Sequence, residues 1–242
     1  MDRGQAHIGT SGFSYDHWQE VFYPPEAGKD RWLEYYCEHF GTVEINTSYY
    51  RMPRENVCQS WRERSPEGFS FAMKLNWLIT HRERLAGCQE FLTSFLDAAE
   101  QLDEKLGPIL VQLPPRFLAD AKRLAAFLDI CPRRRRWAVE LRHPSWLCEE
   151  VYDVLRARGA AMVLHDMLEG HPHVITADWA YFRFHGPGGG YSGSYDDATL
   201  RAAADEMREH LDSGRDVYAY FNNDAAGHAV RNARQLIELV RA

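Results

Sequence analysis

Seven short apolar runs in this sequence end in polar or ionisable side chains. Three of them hold two such groups in alternation. Glu44 and Asn46 flank Ile45, Glu140 and Arg142 flank Leu141, and Arg183 and His185 flank Phe184. In an extended chain residues i and i+2 share a face, so each pair points one way and its apolar neighbour the other. Lys74, Gln112, His165-Asp166 and Asn222-Asn223-Asp224 close the other four runs.

These types define a narrow chemistry. Glu44 or Glu140 has the character of a general base, with His185 or Asp166 as acid or orienting group. Lys74, Arg142 and Arg183 suit an anion, since a planar guanidinium matches phosphate or carboxylate. Asn46, Gln112, Asn222 and Asn223 add neutral hydrogen-bonding groups to the expected substrate site. The carboxylates Glu44, Glu140, Asp166 and Asp224, with His165 and His185, could also hold a divalent metal. Three cations in the same space oppose that, so a metal is not favoured and no residue is assigned to one. A structural network, with Glu44 and Glu140 paired to Lys74, Arg142 and Arg183, is the alternative to a reactive site.

The elements that must position these groups recur in order. Strands are expected at His7–Ser11, Thr42–Thr47, Phe69–Leu75, Ile109–Leu113, Trp137–Leu141, Ala161–His165, Ala180–His185 and Val217–Asn222. Helical stripes lie between them. Leu200, Ala203, Ala204, Met207 and Leu211 form one, stopped by Gly214, and Val230, Ala233, Leu236, Ile237 and Val240 form the last. Weaker helices are expected near 29–40, 56–64, 88–106, 119–128 and 149–158. Eight βα units of about 30 residues predict an α/β protein, a (β/α)8 TIM-type barrel. The segment 166–178 carries no helical stripe, so the helix after the sixth strand should be missing or reduced. An open doubly wound sheet is the alternative. In a barrel, all seven polar ends fall on the C-terminal face, where barrel enzymes place their sites.

The chain has 242 residues, 28 Lys+Arg against 35 Asp+Glu, and a formal charge of −7. That balance excludes a broad basic nucleic-acid surface but not a local basic cleft. No apolar run is long enough to span a membrane, and no signal peptide is expected. Five cysteines without a C-x-x-C pair fit a cytoplasmic setting. No linker divides the chain, so residues 1–242 are expected to form one domain.

Several further features could carry chemistry. The loop His185-Gly186-Pro187-Gly188-Gly189-Gly190-Tyr191 follows the seventh strand, where barrels often bind phosphate, so Gly188 and Gly189 are expected to offer backbone N–H groups. It is not a Walker motif. Phe13, Tyr15, Trp18, Tyr49 and Tyr50 cluster near the first two strand ends. Tyr15 and Trp18 are expected in a stacking wall for a sugar ring or base, with core packing as the alternative. Gly9-Thr10-Ser11-Gly12-Phe13 lacks the spacing of a nucleophile elbow. Cys148 has no nucleophile motif. Arg133–Arg136 precedes the fifth strand and should be a solvated face. His171 and His173 read as loop residues.

Taken in order, these segments resemble the YecE-like proteins, the domain-of-unknown-function 72 family. The resemblance rests on Gly9-Thr10-Ser11-Gly12-Phe13-Ser14-Tyr15 with Trp18 and Phe22-Tyr23-Pro24, and on Val43-Glu44-Ile45-Asn46 with Tyr49-Tyr50-Arg51-Met52-Pro53. It continues through Thr80-His81, Gln112-Leu113-Pro114-Pro115, Val139-Glu140-Leu141-Arg142-His143 with Ser145-Trp146, Arg183-Phe184-His185-Gly186 and Phe221-Asn222-Asn223-Asp224. The chain departs from the pattern at Phe13, where the family usually has Trp, and at Glu20, where Gly is common. The resemblance implies a TIM-type barrel and no particular reaction. The residues themselves lead to an enzyme acting on an anionic, phosphate-bearing substrate, with phosphoester hydrolysis first. A non-catalytic nucleotide or nucleic-acid binder and a metal-dependent isomerase or nuclease are the alternatives. The expected partner is an anionic small molecule or nucleotide.

Overall fold

Alternation of inward and outward side chains along eight strands organises the computed structural model, which describes residues 3–242. The strands are β1 (Ala6–Thr10), β2 (Thr42–Ile45), β3 (Ser70–Lys74), β4 (Leu106–Gln112), β5 (Trp137–Glu140), β6 (Ala161–His165), β7 (Trp179–Phe184) and β8 (Asp216–Phe221). All neighbours pair in parallel in the order β1-β8-β7-β6-β5-β4-β3-β2. An isolated parallel bridge, Ser11 to Glu44, brings the two ends together. The fold is a nearly closed (β/α)8 TIM-type barrel, not the open doubly wound sheet.

The helices are α1 (Trp32–Cys37), α2 (Thr47–Tyr50), α3 (Glu55–Arg64), α4 (Gln89–Ala99), α5 (Ala121–Ile130), α6 (Glu149–Arg158), α7 (Asp197–Asp212) and α8 (His228–Arg241). The expected helix 88–106 is α4 followed by a tighter 3-10 stretch, Glu100–Lys105. No helix lies between β6 and β7 among the described residues. Asp120 and Asp196 cap α5 and α7 by accepting from the backbone N–H of Arg123 and Thr199.

The barrel interior is filled unevenly. Trp179, Tyr181, Tyr218 and Tyr220, from β7 and β8, pack with Ala72, Leu110, Ala138, Ala161 and Val163 from β3 to β6. Large aromatics on one wall are matched by small residues on the other, which keeps the interior close-packed. The outward residues, such as Val43, Ile45, Phe71 and Val139, join the larger core under the helices.

The seam between β1 and β2 is closed by a side chain from α1. The Tyr36 hydroxyl accepts from Thr10 N–H at 3.0 Å and donates to Thr42 C=O at 3.1 Å. It replaces ladder bonds that the two strands do not make with each other. Gly9 permits this approach: a Cβ there would lie 2.3 Å from Thr42 O and 3.0 Å from Tyr36 Oη.

Glu20 sits in a backbone conformation that glycine adopts more easily. Glu20 adopts φ +63° in the turn that follows Trp18, a conformation that costs an L-residue about 1 kcal/mol and glycine almost nothing. Glu20→Gly should therefore raise the unfolding midpoint in urea, by about 0.5–1 kcal/mol of stability. Tyr36→Phe should lower stability by about 1–3 kcal/mol, because it leaves Thr10 N–H and Thr42 C=O buried without their partner. An unchanged midpoint in Tyr36→Phe would show that the seam closes without that hydroxyl.

Candidate active site

The inward alternation carries the polar strand ends into one layer at the C-terminal mouth. Arg183 lies at its centre with a fully buried side chain. One Nη donates to Glu44 Oε1 at 2.7 Å and the other to Glu140 Oε2 at 2.5 Å. Glu44 also accepts from Ser11 Oγ at 2.6 Å and Tyr181 Oη at 2.7 Å. Arg142 Nε sits against Glu140 Oε1. Two carboxylates thus face two guanidiniums, and the layer neutralises itself.

His185 ties this layer to the rim. Its Nε2 lies 2.9 Å from Arg142 Nη2 and 3.2 Å from Arg183 Nη1. Arginine only donates, so Nε2 is the acceptor and Nδ1 carries the proton, which it gives to Asp166 Oδ1 at 2.9 Å. Asp166 also accepts from the Tyr195 hydroxyl and from His185 N–H. Burial pushes His185 down to about 4 against the opposing pull of Asp166. Burial disfavours the Glu140 carboxylate, yet Arg142 and Arg183 outweigh it and hold the group well below its ordinary range.

Lys74 stands apart from these pairs. It is 9% exposed. Among the described residues no carboxylate lies within salt-bridge distance of Nζ and no group accepts a hydrogen bond from it. Its charge rests over the Tyr49 ring, 4.3 Å from the centroid. Burial, then the positive charge of Arg183, pushes the ammonium down to about 7.

Lys74 opens on a cleft of about 760 Å³. The cleft is bounded by the loop after β1 (Phe13, Tyr15), the end of β2 (Asn46), the end of β8 (Asn222, Asp224) and Tyr191. It continues outward to Lys29, Trp61 and Arg64, past the β1–β2 seam. Asn46 Oδ1 is buried without a hydrogen-bond partner. Burial raises the Asp224 carboxyl, with His17 opposing.

The expected residues therefore separate into groups. Tyr15, Asn46, Lys74 and Asn222 line the cleft. Glu44, Glu140, Arg142, Arg183 and His185 form the buried layer beneath the mouth, and Asp166 secures it from the rim. Gln112 pairs beside Glu140 in the sheet and is not on the cleft wall. Trp18 is fully buried, with its Nε1–H donating to Asp224 C=O at 2.8 Å, so it is a core residue and not an exposed stacking face. Asn223 braces the β7 loop, donating to Gly193 C=O and Asn232 Oδ1. Gly188 and Gly189 lie off the cleft, and the Gly189 N–H bonds Gly186 C=O. That loop contributes Tyr191 instead. Among the described residues no group of three or more His, Cys, Asp or Glu is placed to hold a metal ion, and no helix is long and apolar enough to cross a membrane.

The buried layer sets two measurable properties. Arg183→Met should lose about 3–5 kcal/mol, because two carboxylates stay buried without their shared cation. Acid should weaken the wild type in two stages. The unfolded chain protonates His185, His171 and His81 near 6.5, whereas the folded chain holds them at about 4, 3 and 4. Stability then falls as pH drops below 6.5. The share from Glu140 is complete above the ordinary carboxylate range and is lost at still lower pH, through its depressed folded value. Urea melts at pH 7.5, 5.5 and 4 read the histidine stage, and a further melt at about pH 2.5 reads the loss of the Glu140 share. A flat profile from pH 7.5 to 4 would contradict the histidine assignment.

The comparisons agree with this architecture. A family model described as "Protein of unknown function DUF72" matches residues 7–242. The UPF0759 protein YecE of Escherichia coli (strain K12) is 34% identical over 150 residues, which cover 58% of this chain and 55% of that protein. The matched segment thus spans about half the length of YecE. The UPF0759 protein YunF of Bacillus subtilis (strain 168) is 27% identical over 97% of this chain and 94% of its own length. The crystal structure of a DUF72 family protein, TM1631 from Thermotoga maritima MSB8, superposes with a TM-score of 0.85 at 30% identity, covering 98% of this chain and all of that one. With the family model spanning nearly its whole length and the same barrel beneath it, this chain belongs to the DUF72 family, whose function is unknown.

Proposed function

We propose that this protein is an enzyme acting on a small anionic molecule in the mouth cleft, with phosphate esters as the favoured class and hydrolysis as the reaction. The observation that carries the proposal is Lys74, a buried cation without a carboxylate partner that faces an open cleft. A concave site with a perturbed ionisable group is where chemistry is to be sought. Lys74 would meet the anion, and the amides of Asn46 and Asn222 would complete its hydrogen bonds. Glu44 and Glu140 are fully engaged by Arg183, Arg142, Ser11 and Tyr181, so neither is the base in this reading. Asp224 is the carboxylate on the cleft wall and takes that role, orienting water towards the ester.

A second reading, nucleotide binding without turnover, is favoured by Tyr50 and Tyr191. They are 71% and 44% exposed and present open ring faces at the cleft.

Calorimetric titration with inorganic phosphate and AMP tests the site. Lys74→Met should weaken binding at least tenfold, about 1.4 kcal/mol, while Lys122→Met on the exposed face of α5 should not. The Lys74 variant should also be more stable at neutral pH by about 1–2 kcal/mol, since an unpaired buried cation is removed, so lost binding cannot come from unfolding. Phosphate release from AMP that disappears in Asp224→Asn supports hydrolysis. Binding without release supports the second reading, and no binding of either probe removes both.

A further inference from the structure

The chain has only four lysines, Lys29, Lys74, Lys105 and Lys122, and two of them are buried in opposite ways. Lys105 Nζ donates to Arg62 C=O at 2.6 Å, Ser65 C=O at 2.7 Å and Ser65 Oγ at 3.1 Å. Three acceptors take up its donors. Lys74 is as deeply buried and, among the described residues, has none. Of the charged groups around it, Arg183 and Arg142 oppose its charge while the carboxylates Glu140 and Glu44 favour it. Arg183 and Arg142 are cations, Glu140 and Glu44 are already paired with them, and His81 and Tyr49 flank the other side as neutral rings. A desolvated lysine beside other cations is the arrangement that exposes a neutral, nucleophilic amine at neutral pH.

We infer that Lys74 is an imine-forming nucleophile, and that the molecule taken by the cleft is an anionic carbonyl compound, a 2-oxo acid or a phosphorylated aldehyde or ketone. This rests on the reading of the cleft as a substrate site and names the substrate's reacting group. It does not depend on ester hydrolysis. The substrate's anion is then met by the Asn46 and Asn222 amides, while its carbonyl reaches Lys74; Lys29 and Arg64 farther out are already paired with Asp16 and Glu34.

The step balances without a further reagent. The Nζ lone pair attacks the carbonyl carbon, the C=O π pair moves to oxygen, and one N–H proton of the now cationic nitrogen passes to that oxygen, giving a neutral carbinolamine. The nitrogen lone pair then expels that oxygen as water, with a second proton from Asp224 or solvent. The products are a protonated imine on Lys74 and one water molecule.

Reductive trapping tests this on the intact protein. Wild-type chain is incubated with pyruvate, and separately with glyceraldehyde 3-phosphate, in the presence of sodium cyanoborohydride, and the modified lysine is located by peptide mass. Lys74 should carry the probe's mass less one oxygen atom. At pH 7 it should be labelled at least about 100-fold faster than Lys29, because an ordinary lysine is neutral in only about one molecule in a thousand or fewer. The rate at Lys74 should level off near pH 8, while that at Lys29 keeps rising. Lys105 should stay unmodified. Label confined to Lys29, Lys122 or the N-terminus overturns the inference. If calorimetry then still detects pyruvate binding that Lys74→Met weakens, the cleft remains a substrate site and only the imine fails. If binding is absent as well, both fall.

Discussion

A single guanidinium determines how the mouth of this barrel can be dry. Arg183 enters from β7 and offers its two ends to carboxylates on β2 and β5, across the width of the barrel. Burying any of the three alone would be prohibitive, whereas the fork geometry of arginine satisfies two carboxylates at once. Arg142 balances the remaining charge, and His185 accepts from both arginines while donating outward to Asp166. Every ionisable group of the layer has a partner of the right kind. The layer is therefore better described as a charged floor than as a set of free catalytic groups.

That self-neutralisation gives Lys74 its character. Had Glu44 or Glu140 been free, either could have paired with it, and the lysine would be held by acceptors as Lys105 is. Because both carboxylates are taken, no group among the described residues accepts a hydrogen bond from Lys74, and its charge rests on the face of Tyr49. The reactive potential of the site follows from the stability of the layer below it.

Much of this was legible in the alternation of residue types. Glu44 with Asn46, Glu140 with Arg142 and Arg183 with His185 declare a shared face, and the eight-unit rhythm declares the barrel that gathers those faces. Which partner each group takes was not legible, because barrel stagger brings β7 opposite β2 and β5 and no local spacing encodes it. The same holds for the outer half of the cleft. Lys29, Trp61 and Arg64 come from turns and helices beside the seam, where their periodicity reads only as surface. Trp18 and the glycines at 188 and 189 misled for a simpler reason: aromatic and glycine residues near a strand end serve packing and turns as readily as ligands. Glu20 shows the reverse. Its departure from the family pattern was visible, but its meaning appears only with the backbone angle it must adopt.

The seam deserves a mechanical description. Elsewhere neighbouring strands pair directly through ladder bonds, with a register break between Phe71 and Met73 on β3 and a short two-residue pairing of β5 with β6. Between β1 and β2 the wall is fastened by the Tyr36 hydroxyl, the short bridge at Ser11 and Glu44, and the Ser11 hydroxyl on the Glu44 carboxylate, and the cleft runs past this joint. The weakest line of the cylinder thus lies beside its open mouth. Because Glu44 lies on β2 and bonds Ser11 across that joint, its width sets both the cleft and one edge of the charged floor.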